Sequence, residues 1–163
     1  MSQLATQVGA SLMAHGMMLS TAESCTGGGV ACAVTEIAGS SAWFDRGFVT
    51  YSNQSKVDML GVSNATLIRY GAVSEATVRE MVAGVLRHSQ AQISLAVSGI
   101  AGPGGGTPEK PVGTVWFAWG FSDDVCVARL HQLDGDRAAI RKQAVRIALQ
   151  GVVELLGNRI VIS

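Results

Sequence analysis

Short apolar runs alternate along this chain with segments whose hydrophobic residues recur at helical spacing. That alternation constrains the fold more than any other feature. Met17 to Ala22 reads as a buried strand, Trp43 to Tyr51 as an aromatic, β-branched one, and Ile93 to Val97 as a compact apolar one. Between them, Leu4, Val8, Leu12 and Met13 share a helical face that Gly16 stops. Gly28 to Ile37 predicts a helix of small residues, and Ser52-Asn53 caps another that runs through Leu60 to Gly61. Thr66 to Tyr70 predicts a short helix. Ser74 opens a clearer one, Glu75 to Leu86, with Val78, Met81, Val82 and Val85 as its buried stripe. Thr114 to Trp119 and Val125 to Leu130 predict strands around a turn at Ser122-Asp123-Asp124, and a last helix spans Arg137 to Leu156. Strands alternating with helices and ending in a hairpin predict an α/β sandwich with a mixed sheet.

The 163 residues are long enough for one domain, residues 1–163, and 48% of them are hydrophobic, which argues for a packed core and against disorder. Twelve basic and twelve acidic residues cancel, so neither nucleic acid nor an anionic membrane is an expected partner. An anionic ligand would need a local site. Met1 to Gly16 lacks the basic head and apolar run of a signal peptide, and no stretch approaches the roughly 20 apolar residues of a membrane span. Cys25, Cys32 and Cys126 are an odd set without metal-like spacing, which predicts a reducing, cytoplasmic setting. His15, His88 and His131 are scattered, so no metal site is expected.

Chemistry-bearing residues cluster in a few segments. In "STAESCTGGG", Ser24, Cys25 and Thr26 follow a predicted strand and open a helix. A helix N-terminus offers free N–H groups to an anion or an oxyanion, although Ser24 or Thr26 could equally be a simple cap. The glycines match neither a P-loop, which needs a following Lys, nor a dinucleotide fingerprint. Cys25 is a candidate nucleophile without an evident basic partner. In "TYSNQSKVDMLG", Tyr51 ends a strand and Lys56 follows it. A lysine can replace histidine as the base for a serine if its pKa is brought down, with the tyrosine hydroxyl relaying a proton or orienting it. The alternative is a solvated helix lysine. "VSGIAGPGGG" places Ser98, Gly99 and Gly102 in a long loop after a buried strand, where free N–H groups can face a ligand. Arg137 and Arg141, at a helix start where they oppose the macrodipole, are explicable if they reach a phosphate or carboxylate. Lys110 is a weaker candidate of the same kind.

Taken together, "TAESCTGG", "AGSSAWFDRGFVTYSNQSK", "GAVSEATVREM", "VSGIAGPGGGTPEKPVGTVWFAW" and "GDRAAIRKQAV" resemble, in order and over nearly the whole chain, the CinA C-terminal domain family of nicotinamide-nucleotide amidohydrolases. The resemblance implies a three-layer α/β/α sandwich with a mixed, mostly parallel sheet. It implies hydrolysis of the carboxamide of nicotinamide mononucleotide to nicotinate mononucleotide and ammonia, with no metal or cofactor. It matches Ser24 to the nucleophile, Tyr51 and Lys56 to catalytic partners, and Ser98 to a position near the reacting amide. Arg137 or Arg141 matches a substrate-binding arginine. Thr26-Gly27 and Ser98-Gly99 are expected to supply backbone N–H groups to the oxyanion. Many members carry a further N-terminal domain whose activities are not expected here. A homodimer or higher homo-oligomer is expected. The alternative from another class is a non-catalytic nucleotide or phosphate sensor built on the same pocket.

Overall fold

The computed structural model describes residues 1–159. Its strands are β1 (Leu19–Glu23), β2 (Phe44–Val49), β3 (Ile93–Gly99), β4 (Thr114–Phe121) and β5 (Cys126–Gln132), in the sheet order β2-β1-β3-β4-β5. β1 pairs in parallel with β2 and β3, while β3–β4 and β4–β5 are antiparallel. β4 alone therefore runs against the rest, and the sheet is mixed and mostly parallel in strand direction. The helices are α1 (Ser2–Ala14), α2 (Gly29–Thr35), α3 (Asn53–Leu60), α4 (Asn64–Tyr70), α5 (Glu75–Arg87) and α6 (Arg137–Gly157). Each predicted element is present, with ends displaced by only a few residues.

Side chains alternate across a strand, so each strand serves two cores. Leu95, Val97, Phe117 and Trp119 face a layer of α1, α2 and α6, where Val8, Leu12, Val30, Val34 and Leu149 meet them. Ala22, Ala96 and Ala118 face the opposite layer, against Leu60, Leu67, Val78, Met81 and Val82 of α3, α4 and α5. The division into large and small residues lets α5 lie close to the sheet. On the other face α6 accommodates the Trp119 indole over Gly151, where any Cβ would collide with the ring, and Trp119 Nε1 donates to Ala148 O at 2.9 Å.

Local chemistry sets the helix ends. Ser52, Ser74 and Asp136 accept N–H groups from Ser55, Thr77 and Ala139 at 3.1, 3.2 and 2.9 Å, starting α3, α5 and α6. Gly61 ends α3 at φ +71°, a conformation open to glycine. The long glycine–proline loop after β3 is tied at several points. Gly113 N–H donates to Ile100 O at 2.7 Å, Lys110 Nζ to Tyr70 O at 2.7 Å and Arg137 Nη1 to Gly102 O at 2.7 Å. Among the described residues no helix is long and apolar enough to cross a membrane.

Candidate active site

Parallel strands bring their carboxyl ends together, and ligands in α/β sheets gather there. Ser24 directly follows β1 and extends its ladder by one rung, its N–H donating to Val97 O of β3 at 3.0 Å. On the other side Thr50 N–H donates to Glu23 O at 2.9 Å, which carries β2 forward to Thr50 and Tyr51. The first turn of α3 then folds Lys56 back beneath that edge. Lys56 is 1% exposed, one of the largest side chains the protein buries.

Lys56 Nζ lies 3.1 Å from Ser24 Oγ, 2.8 Å from Thr50 O and 3.3 Å from Tyr51 O. An ammonium has three protons to give, and three oxygens receive them. Carbonyls can only accept. In the neutral amine two N–H bonds therefore stay on Thr50 and Tyr51, and the lone pair is left facing the Ser24 hydroxyl. Burial removes hydration from the charged form and lowers the Lys56 pKa from 10.5 to about 8, against a smaller opposing effect of Cys25. This is a base that can be neutral close to physiological pH, already aimed at a serine.

Cys25 is placed differently. Burial pushes its thiol up to about 11, outweighing backbone hydrogen bonds and the Arg141 charge that favour the thiolate. The thiol stays protonated and is a poor nucleophile.

Tyr51 meets the pair through its backbone, not through its phenol. Its carbonyl accepts from Lys56 and stands 3.4 Å from Ser24 Oγ, while its ring is 60% exposed and its hydroxyl accepts from Arg137 Nη2 at 3.1 Å. The expected contact of the tyrosine hydroxyl with the lysine is replaced by one with an arginine, because α6 delivers Arg137 to the exposed side of the ring.

The two candidate arginines separate. Arg137 lines the pocket, held by two neutral partners, Gly102 O and the Tyr51 hydroxyl. Arg141, one turn on, donates Nε to Cys25 O at 3.0 Å and Nη2 to Thr26 O at 3.3 Å, bracing the turn after Ser24 from behind. Ser98 lines the pocket but donates its hydroxyl to Ala72 O at 2.9 Å, tying β3 to the loop before α5.

Neither Ser24 nor Thr26 caps α2. Gly28 occupies the cap position at φ +102°, and the acceptor is Glu23, a residue that sequence reasoning did not single out. Its carboxylate, 1% exposed, receives Thr26 Oγ1 at 2.6 Å and the N–H groups of Val30 and Ala31 at 2.8 and 3.1 Å. A carboxylate inside the buried run "LSTAE" was the available signal, since a buried acid needs partners. Gly27 N–H is engaged too, donating to Ser24 O at 3.0 Å. Thr26, Gly27 and Arg141 consequently lie outside the pocket wall.

What remains is a cavity of about 280 Å³ whose walls include Ser24, Tyr51, Lys56, Ser98, Gly99 and Gly102, with Arg137 at its side. A second cavity of about 500 Å³, sharing Ala101 and Arg137, continues along the start of α6. Another depression of about 460 Å³ lies between α5 and the β4–β5 turn, but no lysine lines it, so it offers no serine–lysine pair. The site of interest is chosen by chemistry, not by volume.

The description of the CinA C-terminal domain fits residues 1–156 of the sequence. The chain belongs to the CinA C-terminal domain family. Within it, the chain is 55% identical over 148 residues to the nicotinamide-nucleotide amidohydrolase PncC of Enterobacter agglomerans, covering 91% of this chain and 90% of that one. It is 51% identical to the protein of the same name from Pseudomonas putida, covering 93% and 94%. Among solved structures, the competence/damage inducible protein CihA of Agrobacterium tumefaciens superposes with a TM-score of 0.91 at 48% identity, over 94% of each chain. The CinA C-terminal domain here is thus similar in sequence to all three proteins along almost their full length, and similar in fold to the solved structure among them.

Proposed function

We propose that the protein hydrolyses the carboxamide of nicotinamide mononucleotide, giving nicotinate mononucleotide and ammonia, through an acyl-enzyme on Ser24. The observation that carries this reading is the buried Lys56 Nζ 3.1 Å from Ser24 Oγ. Burying an ammonium costs stability, and a site that only bound a nucleotide would gain nothing from placing one against a serine hydroxyl. The names of relatives more than half identical over nine tenths of the chain support the substrate class.

Neutral Lys56 takes the Ser24 proton, and Ser24 Oγ attacks the amide carbon to form a tetrahedral adduct. The resulting Lys56 ammonium protonates the departing nitrogen, so ammonia leaves and the nicotinoyl group remains as a serine ester. Lys56, neutral again, takes a proton from water. The hydroxide equivalent attacks the ester, and Ser24 leaves with the proton returned. Thr50 O and Tyr51 O hold the amine in place through both halves of the cycle. Arg137, a guanidinium whose partners among the described residues are the neutral Gly102 O and Tyr51 hydroxyl, suits the substrate phosphate, and its binding energy helps orient the amide.

Ammonia release from nicotinamide mononucleotide tests the reading. Wild-type protein should release one ammonia per nicotinate mononucleotide formed, and Ser24→Ala should reduce the rate by at least about 10³-fold. Activity that survives Ser24→Ala and vanishes in Cys25→Ala would overturn the assignment.

A further inference from the structure

Two stretches of irregular chain, distant in sequence, wall the cavity beside Ser24. One is the glycine loop after β3, which contributes Ile100, Ala101, Gly102, Gly104 and Gly105; the other is the α4–α5 connection, which contributes Ala72 and Val73. The connection is held through three successive carbonyls, each taken by a side chain. Lys110 Nζ donates to Tyr70 O at 2.7 Å, Ser74 Oγ and Thr77 Oγ1 to Gly71 O at 2.9 and 2.7 Å, and Ser98 Oγ to Ala72 O at 2.9 Å. Ser74 and Thr77 belong to the start of α5 and Ser98 to β3. Lys110 alone of these donors comes from the glycine loop.

The contact is built from both sides. Thr107 N–H donates to Lys110 O at 2.9 Å and Lys110 N–H to Thr107 Oγ1 at 3.0 Å, a turn that fixes the lysine backbone. Among the described residues, the tip from Pro103 to Glu109 makes hydrogen bonds only within this turn. On the receiving side, Tyr70 ends α4, so its carbonyl has no helical partner and lies at the end of the helix dipole that favours a cation. Gly71 leaves room for the ammonium, since a Cβ there would stand 3.3 Å from Lys110 Nζ. Lys110 itself stays outside the cavity wall, so its contacts do not support the phosphate role that its sequence context suggests.

We propose that Lys110 is a positioning residue: it fixes the spacing between the glycine loop and the α4–α5 connection, and so the width of the slot that receives the substrate's nicotinamide ring. The inference rests on the Ser24–Lys56 reading above and names the residue that shapes its substrate cavity. Arg137 also ties the loop, through Gly102 O, but the substrate phosphate competes for that guanidinium. Lys110 keeps its hold on Tyr70 with the phosphate bound. Its effect falls on binding and not on chemistry, because Ser24, Lys56 and the carbonyls of Thr50 and Tyr51 are carried by β1, β2 and α3, which Lys110 does not touch.

Lys110→Met keeps the apolar stem and removes the ammonium. The expected result is a KM for nicotinamide mononucleotide higher by about 5- to 20-fold, with kcat within about twofold of wild type and the pH midpoint unchanged. The affinity of nicotinamide riboside, titrated into the Ser24→Ala background, should fall by the same factor, because the slot is altered and the phosphate site is not. Lys110→Arg restores a charged donor and should recover most of the loss. In the free protein, amide hydrogen exchange at Gly104 to Gly106 should be faster in Lys110→Met than in wild type and slow again in Lys110→Arg. A wild-type KM in Lys110→Met, at matched folded fraction, would overturn the proposal and leave Lys110 a stabilising contact only. A loss confined to the mononucleotide would overturn it in favour of a direct phosphate contact. Absence of ammonia release by the wild type would instead remove the catalytic reading, and the positioning role with it.

Discussion

At the scale of single residues, the proposed mechanism turns on Lys56, and its protonation gives the sharpest test. Its pKa is lowered from 10.5 to about 8 because burial disfavours the ammonium. A base must be neutral, so kcat/KM should rise with pH, with a midpoint near 8 and a plateau above it. Lys56→Arg keeps the charge but cannot lose its proton, and should be inactive from pH 6 to 10. A pH-independent wild-type rate over that range would exclude Lys56 as the base. Stability follows the same linkage. Between pH 8 and 10.5 the unfolded chain holds the Lys56 proton and the folded one does not, so unfolding free energy rises with pH across that window. Below pH 8 the full cost of the buried charge is present. The melting temperature of wild type relative to Lys56→Met should therefore improve from pH 7.5 to 10, as differential scanning calorimetry can measure.

At the scale of elements, the turn from β1 into α2 shows how far sequence reasoning reaches. Caps located α3 and α5 well, because Ser52 and Ser74 act on N–H groups three residues ahead, and periodicity alone located α6, whose cap Asp136 works in the same way. The same rule misplaced the cap of α2. Glu23 reaches seven and eight residues ahead, across a turn that exists only because the strand and helix are packed together. Thr50 and Tyr51 were equally hidden in their observed roles, since each serves Lys56 through a carbonyl, and every residue has one. The nearness of Ser24 and Lys56, by contrast, was expected only through the family resemblance, because residue type and spacing alone left a solvated helix lysine as the alternative. Glu23 also yields a prediction. Glu23→Ala would strand two helix N–H groups and the Thr26 hydroxyl, costing about 1–3 kcal/mol. It should also loosen the turn that aims Ser24, so kcat should fall more than KM rises. Glu23→Gln keeps one acceptor oxygen and should recover part of both losses. Equal kcat in Glu23→Ala and wild type, at matched folded fraction, would show that the turn holds Ser24 without Glu23.

At the scale of the molecule, α6 joins what the sheet keeps apart. It is the longest helix among the described residues, anchored on β4 through Trp119, which meets Gly151 and Ala148, and its first turns reach over the carboxyl edge of β1 and β3. Arg137 and Arg141 are four residues apart and indistinguishable as sequence, yet the docking of α6 gives them different neighbours. Arg137 closes on Gly102 and Tyr51 beside the cavity, and Arg141 on the carbonyls of Cys25 and Thr26 behind it. Their losses should therefore separate. Arg137→Ala removes a charged donor from the ligand and should raise KM for nicotinamide mononucleotide by about 10- to 100-fold, the equivalent of roughly 1.5–3 kcal/mol. Binding of nicotinamide riboside, which lacks the phosphate, should be nearly indifferent to it. Arg141→Ala leaves the phosphate contact intact but frees the turn that carries Ser24, so it should lower kcat for mononucleotide and riboside alike and depress the melting temperature. Calorimetric titration of both ligands into each variant, made in a Ser24→Ala background so that nothing turns over, isolates the binding half of this prediction. If Arg141→Ala weakens the mononucleotide selectively and Arg137→Ala does not, the phosphate lies behind the Ser24 turn and not beside the glycine loop.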